Sequence, residues 1–339
     1  MSDARALMGT SDSETTEHPA ATVTRLRSPI VSIVWTALAQ GQLDPVAAIR
    51  EIEAGLPGAP AALAPFTCHP LPAARLAATR ALQRPRHEAT ALAFTVLGGF
   101  SVTRGDRRVD NAAWERRAAQ RVVRLLLLHR DRTVSEDEIL ETFWPDRHPD
   151  SARRSLHVAI SRARRVLDTP SSHSVVEIAD RMYRLRLRRG DGVDADDFEA
   201  AARTALTEHG AARAPLLERA TSLWGGEPLP EERYSDWALG WRERLSDLHI
   251  AVLTALADSC LERGDLIGAI VRARALVGLD PLDEGAHRRL MVAHARGGHR
   301  SQALRQFLEC RRALVERLGV EPASETARLQ RRILAGKPV

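Results

Sequence analysis

The stretch Ser151-Ala-Arg-Arg-Ser-Leu-His-Val-Ala-Ile-Ser-Arg-Ala-Arg-Arg-Val-Leu167 reads as a single helix with two chemically opposed faces. At about 100° per residue, Ala152, Leu156, Ala159, Ile160, Ala163, Val166 and Leu167 fall on one arc, and Arg154, His157, Val158, Ser161, Arg164 and Arg165 on the other. The first arc is built to pack and the second to face outward. Ser151, following Pro149-Asp150, is expected to accept from the free amides of the first turn and so start the helix. A cationic helical face is most often only a solvated surface, so the flanking sequence has to decide its use.

Upstream, Leu92, Phe94 and Val96, then Phe100 and Val102, alternate with small or polar residues around Gly98-Gly99, and Gly105-Asp106 marks a turn before Val109. This pattern predicts a small antiparallel sheet. Trp114 to His129 is expected to be helical. Ser135-Glu-Asp-Glu138 forms a capping box that opens a second helix, which runs through Phe143 and stops at Trp144-Pro145. The cationic helix comes third. Val175–Ile178 and Tyr183–Leu187 then form two strands around Ala179-Asp-Arg-Met182, a hairpin. Strands, three helices and a hairpin, in that order, make an α+β winged helix-turn-helix domain over 92–190.

Beyond Val193 the chain reads as helical throughout. Leu256, Gly264, Ala269, Ala273 and Leu276 are followed 34 positions later by Leu290, Gly298, Ala303, Phe307 and Cys310. A period of about 34 residues is that of the tetratricopeptide repeat, in which each helix pair covers the apolar face of the next. The prediction for 194–336 is an all-α tetratricopeptide-like array, with further hairpins at 195–225 and 235–262. Trp144, Trp224, Trp237 and Trp241 lie in apolar helical stripes or at helix ends and read as core rather than as a stacking platform.

Charge supports a role for the middle segment. Residues 92–189 carry 20 Arg and 13 acids, whereas 1–91 has 8 bases and 8 acids and 190–339 has 21 bases and 23 acids. The positive excess behind the net charge of +5 therefore sits wholly in 92–189, a surplus of 7. Nearly every base is Arg, Lys337 being the sole lysine, which suits bidentate recognition but also fits a biased codon composition. Residues 1–27 are polar and aperiodic, an expected disordered tail. Residues 28–91 contain candidate helices at Ile30–Ala39, Pro45–Ala54 and Pro72–Leu82, with Leu56–Pro72 and Arg84–Glu88 as linkers, a helical region of no evident role. Cys68, Cys260 and Cys310 offer neither a disulfide framework nor zinc-ligand spacing. No signal pattern occurs, and apolar runs such as Leu125 to Leu128 are far too short to span a bilayer. No catalytic constellation, metal site or cofactor motif stands out. The expectation is a cytoplasmic, nucleoid-associated protein that is not an enzyme and touches no membrane.

Leu97-Gly-Gly-Phe100, Leu125-Leu-Leu-Leu-His129, Val134-Ser135, Phe143-Trp-Pro-Asp146, Ala152-Arg-Arg-Ser-Leu-His-Val158, Ser161-Arg162, Arg164-Arg165-Val-Leu167 and Tyr183-Arg-Leu185 resemble the OmpR-type winged helix of the Streptomyces antibiotic regulatory proteins. Val193-Asp194-Ala195, Asp197-Phe198, Leu223-Trp224, Gly226-Glu-Pro-Leu229, Asp280-Pro281-Leu282, Ala303-Leu304 and Leu318-Gly-Val-Glu-Pro322 resemble the bacterial transcriptional activation domain that follows it in that family. The likeness covers roughly three quarters of the chain. It departs at Met182, where the family's wing usually has glycine, and is silent on 1–91. No G-x-x-x-x-G-K-[ST] is present, so the ATPase module of larger relatives is not expected.

In a winged helix the third helix enters the major groove, which presents a distinct donor and acceptor pattern for each base pair. Arg154, His157, Ser161 and Arg165 lie on one line and are the base-edge candidates. Arg153, Arg162 and Arg164 lie off it, and with Arg116 and Arg117 at the first helix and Arg181 and Arg184 at the wing are the phosphate candidates. The resemblance implies an activator of a biosynthetic gene cluster. It would bind direct repeats in promoter double-stranded DNA, two protomers side by side, and touch RNA polymerase holoenzyme through the loop bearing Asp146, Arg147 and His148. The competing readings are a tetratricopeptide-type protein-interaction adaptor whose winged helix reads no DNA, and a repressor using the same module. The adaptor reading does not require the positive surplus in 92–189.

Overall fold

The computed structural model describes residues 91–115, 117–169 and 174–339, and within the N-terminal region residues 34–38, 40, 42, 44, 45, 47–49, 52, 62–69 and 71–83. The expected tail at 1–27 lies outside the described residues, as does Arg116. Two compact units are present, Met1–Pro85 and Arg86–Val339.

In the first unit, a 3-10 turn at Ala64–Cys68 precedes helix α1, Pro72–Gln83. Trp35, Leu38, Ile49, Ile52, Leu63, Phe66, Ala74, Ala77 and Ala78 form its core. Leu56–Pro72, expected as a linker, therefore contributes two fully buried side chains, Leu63 and Phe66. Proline and glycine content suggested a loop, but the apolar residues between them find a core. His69 is also buried there; the Leu71 amide donates to its Nδ1 at 3.1 Å. Its Nε2 therefore carries the proton toward the Trp35 carbonyl, 3.2 Å away.

In the second unit, β1 (Leu92–Thr95), β2 (Ser101–Arg104) and β3 (Arg107–Arg108) form an antiparallel meander. Three helices follow: α2 (Arg117–Leu128), α3 (Glu136–Phe143) and α4 (Pro149–Leu167), with the short strand β4 (Val134–Ser135) before α3. The wing is β5 (Val176–Ala179) and β6 (Met182–Leu185), with β6 pairing also to β4. The chain then returns through β7 (Gly192–Val193), which pairs in parallel with β1. Seven helices complete the unit: α5 (Asp194–Thr207), α6 (Arg213–Leu223), α7 (Asp236–Glu262), α8 (Leu266–Leu279), α9 (Glu284–Arg296), α10 (Arg300–Leu318) and α11 (Ser324–Leu334). The fold is a winged helix joined to a helical array.

Three expectations require correction. Trp114–His129 is not one helix: a 3-10 turn at Asn111–Trp114 is capped by the Asp110 carboxylate, and the chain breaks at Glu115 before α2 begins. Trp114 is buried against Phe100, ring centroids 6.0 Å apart, and this anchor forces the bend. The cationic helix starts at Pro149, and the His148 carbonyl rather than the Ser151 side chain caps it, accepting from the Ser151 and Ala152 amides at 2.9 and 3.0 Å. Proline lacks the amide that the first helical position would leave unpaired. The hairpin expected at 235–262 is one long helix, Asp236–Glu262, with no proline in it and its one glycine, Gly240, in the second turn.

The repeat spacing has a structural basis. Gly264 and Gly298 occupy the turns after α7 and α9 at φ +76° and +78°, a region open to residues without a Cβ. Ala269 and Ala303 are fully buried where α8 and α10 cross their partners.

The winged helix is locked onto the array. Asp194 accepts from the Val96 and Leu97 amides at 2.8 and 3.2 Å, and Glu231 from the Phe100 amide at 2.8 Å. The 225–232 loop continues the contact: the Gly98 amide donates to the Glu227 carbonyl and the Leu229 amide to the Val96 carbonyl. Gly225 is needed there, since a Cβ would come within 2.6 Å of the Leu97 carbonyl oxygen. Gly225→Ala is expected to lower stability by about 1–3 kcal/mol through this clash. A thermal melt indistinguishable from wild type would contradict the contact.

Candidate nucleic-acid interface

Helix α4 presents the row that its sequence predicts. Ala152, Leu156, Ala159, Ile160, Ala163, Val166 and Leu167 are buried, and the helix packs on α2. Arg154, His157, Val158, Ser161 and Arg165 are exposed on the other side. Their spacing of three to four residues aligns them along the helix axis. Val158 is 46% exposed in the middle of this polar row. An aliphatic side chain left in solvent among arginines has no packing partner on its own helix. Beside the row runs a shallow groove of about 350 Å³ lined by Trp144, Arg147, Arg154, Val158 and Arg162 among others.

The basic residues divide by what already holds them. Among the described residues, Arg117, Arg154 and Arg184 are exposed and make no ion pair or side-chain hydrogen bond. Arg153 Nε lies 3.1 Å from Glu136, and its NH1 3.4 Å from Asp150. Arg162 and Arg165 both meet Glu115, at 2.9 and 2.8 Å. Arg164 is engaged within the fold. Its Nε and NH2 both donate to the Val176 carbonyl, at 3.0 and 2.7 Å, so it braces the helix against the wing instead of offering a free guanidinium. Arg162, with its side chain 19% exposed, and Arg181 are each already paired with an acid, Glu115 and Glu136, so part of each guanidinium is engaged within the chain. Spacing along one helix cannot reveal partners that come from other elements.

Glu136 organises the wing. Its side chain is 7% exposed, and it accepts from Arg153, from Arg181 Nε and NH2 at 3.1 and 2.8 Å, and from the Tyr183 hydroxyl at 3.2 Å. One carboxylate thus ties α3, α4 and the wing together. Burial pushes its pKa up, but hydrogen bonds from Arg181 and Arg153 outweigh this and hold it below the ordinary carboxylate value. Burial, with the Glu136 charge beside it, pushes the Tyr183 hydroxyl up to about 12.

The wing turn uses Asp180 and Arg181 at φ +49° and +60°, the backbone of a type I′ hairpin without its usual glycine. The Arg181 contacts to Glu136 and Asp137, and its carbonyl accepting from the Glu136 amide at 2.8 Å, hold that strained turn. Met182, where the family's wing usually has glycine, lies in β6 opposite Ser135.

The loop between α3 and α4 is open: Asp146, Arg147 and His148 are all exposed. Arg147 NH1 reaches the Ser155 hydroxyl at 3.2 Å. Among the described residues there is no cluster of three or more His, Cys, Asp or Glu that could hold a metal ion, and no helix long and apolar enough to cross a membrane.

Comparison with known proteins matches both halves. Residues 116–185 fit the family model described as transcriptional regulatory protein, C terminal, and residues 193–334 the bacterial transcriptional activator domain. The regulatory protein AfsR of Streptomyces griseus is 33% identical over 251 residues, which is 73% of this chain and 25% of AfsR. The chain therefore spans about a quarter of that relative. Regulatory protein DnrI of Streptomyces peucetius is 27% identical over 233 residues, 66% of this chain and 85% of DnrI. The structure of Mycobacterium tuberculosis EmbR in complex with a low affinity phosphopeptide superposes with a TM-score of 0.62 at 24% identity, covering 73% of this chain and 66% of that one, and shares the fold. With an OmpR-type winged helix followed by a bacterial transcriptional activator domain, and with this likeness to AfsR and DnrI, the chain belongs to the Streptomyces antibiotic regulatory protein family of transcriptional regulators.

Proposed function

We propose that the chain binds promoter DNA sequence-specifically and activates transcription of a biosynthetic gene cluster, two protomers lying side by side on direct repeats. The observation that carries this reading is the exposed row Arg154, His157, Val158, Ser161 and Arg165 on a helix whose opposite face is buried. α4 enters the major groove and offers Arg154 and Arg165 to guanine, His157 and Ser161 to neighbouring base edges, and Val158 to a thymine methyl. Arg117 and Arg184, free of internal partners, bind phosphates and fix the register, with Arg153 beside them. Because the winged helix is locked to the array, the position of the array on the promoter follows from the docking of α4. Asp146, Arg147 and His148, together with the array, meet RNA polymerase.

Arg154→Ala is expected to lose about 1–3 kcal/mol against the cognate site, while Arg184→Ala weakens binding to all duplexes alike and reduces the salt dependence by about one phosphate. Gel-shift titration at several salt concentrations checks both. Unchanged cognate affinity in Arg154→Ala would remove the base-edge assignment. For the polymerase contact, reversing the charges of Asp146 and Arg147 is expected to abolish activation in a reporter assay with DNA binding retained. Undiminished activation would remove that part of the reading.

A further inference from the structure

Glu115 stands where the sequence predicts uninterrupted helix. It links the 3-10 turn to α2 at φ +54° and ψ −30°, a backbone region disfavoured for any residue with a Cβ. Its carboxylate reaches across to α4 and bridges two arginines, Oε2 to Arg162 Nε at 2.9 Å and Oε1 to Arg165 NH1 at 2.8 Å. Arg162 is mostly buried, with its side chain 19% exposed, whereas Arg165 is 67% exposed and closes the groove-facing row. Trp114, anchored in the core next door, fixes the point from which the carboxylate extends.

A guanidinium has two edges that can form paired hydrogen bonds. Contact through NH1 leaves the Nε–NH2 edge of Arg165 open, in an orientation set by the carboxylate. The same carboxylate offsets the positive charge that Arg165 would otherwise bring to any phosphate nearby. Arg162 holds the other oxygen and keeps the acid in place.

We propose that Glu115 is a specificity-determining positioning residue: it presents one edge of Arg165 to a base while suppressing the indiscriminate attraction of Arg165 to the DNA backbone. The inference rests on the DNA-binding reading above. A non-cognate duplex then gains little from Arg165, because it offers no matching base edge and its phosphates meet a neutralised pair. A cognate base recovers the interaction through the oriented edge.

The test compares wild type, Glu115→Gln and Glu115→Asp in the full chain on two duplexes of equal length, one carrying the site recovered by genomic pull-down and one scrambled. Glu115→Gln is expected to bind the scrambled duplex about tenfold more tightly, with a salt dependence steeper by about one released counterion, and to change cognate affinity far less. Glu115→Asp, which keeps the charge, should retain most of the discrimination. In an Arg165→Ala background, Glu115→Gln should leave the cognate-to-scrambled ratio unmoved. A purely structural role would lower both affinities together and would not steepen the salt response. An unchanged ratio in Glu115→Gln, or an equal shift in the Arg165→Ala background, would overturn the assignment while the DNA reading stands. A wild-type chain that does not discriminate between the duplexes would instead bring down the DNA reading itself.

Discussion

Glu232→Ala is expected to destabilise the second unit by about 3–5 kcal/mol, the cost of leaving a buried charge without its partner. The Glu232 side chain is 3% exposed and meets Arg124, 8% exposed, at 2.8 Å and Arg121 at 3.2 Å. Arg124 lies over the Phe100 ring, 4.8 Å from its centroid, and cannot turn to water without disrupting that packing. The pair also joins α2 of the winged helix to the connection between α6 and α7 of the array, so its loss should loosen the coupling between the two halves. Urea unfolding of the full chain followed by tryptophan emission measures the effect. Glu232→Gln, which removes the charge and keeps one acceptor oxygen for Arg124 and Arg121, should fall between wild type and Glu232→Ala. A change in Glu232→Ala below about 1 kcal/mol would show that the bridge does not hold the halves together.

Glu136→Gln is expected to cost less, about 1–3 kcal/mol, because its arginine partners are half exposed and can be rehydrated. Its clearer signature is in the pH dependence. A carboxylate whose folded pKa lies below its ordinary value of 4.5 adds stability that is fully present above that value and is lost as the pH falls through the lowered one. Wild type should therefore lose stability below pH 4.5, and Glu136→Gln should lose less over the same interval. At the alkaline end the sign follows from Tyr183, whose folded state keeps a proton that the unfolded chain releases from pH 10 upward. Stability contributed there declines between pH 10 and about 12, and Tyr183→Phe should remove that decline. Parallel acid limbs for wild type and Glu136→Gln would contradict the place given to Glu136 at the centre of the wing.

Much of this architecture can be read from local pattern. The two faces of α4 emerge from the helical period alone, since burial on one side requires nothing beyond residues 152 to 167. Gly264 and Gly298 disclose the helix pairs because the turns they occupy need positive φ, and Ala269 and Ala303 do so because they are fully buried where helices cross. What the pattern misses depends on distant partners. Glu115 breaks a predicted helix because Trp114 is drawn into the core, and the break puts a carboxylate on α4 from 50 positions upstream. Arg164 is absorbed by a strand carbonyl that no spacing along the helix could foretell. The lock between sheet and array runs through Gly225, Asp194 and Glu231, whose partners lie about a hundred residues earlier.

Selection of bound duplexes from a random-sequence pool by the full chain bears most directly on the claim that α4 reads DNA. Enrichment of a defined motif arranged as a direct repeat, with one base position relaxed when Arg154 is replaced by alanine, is the predicted result. A bound pool indistinguishable in sequence from the starting pool would contradict it.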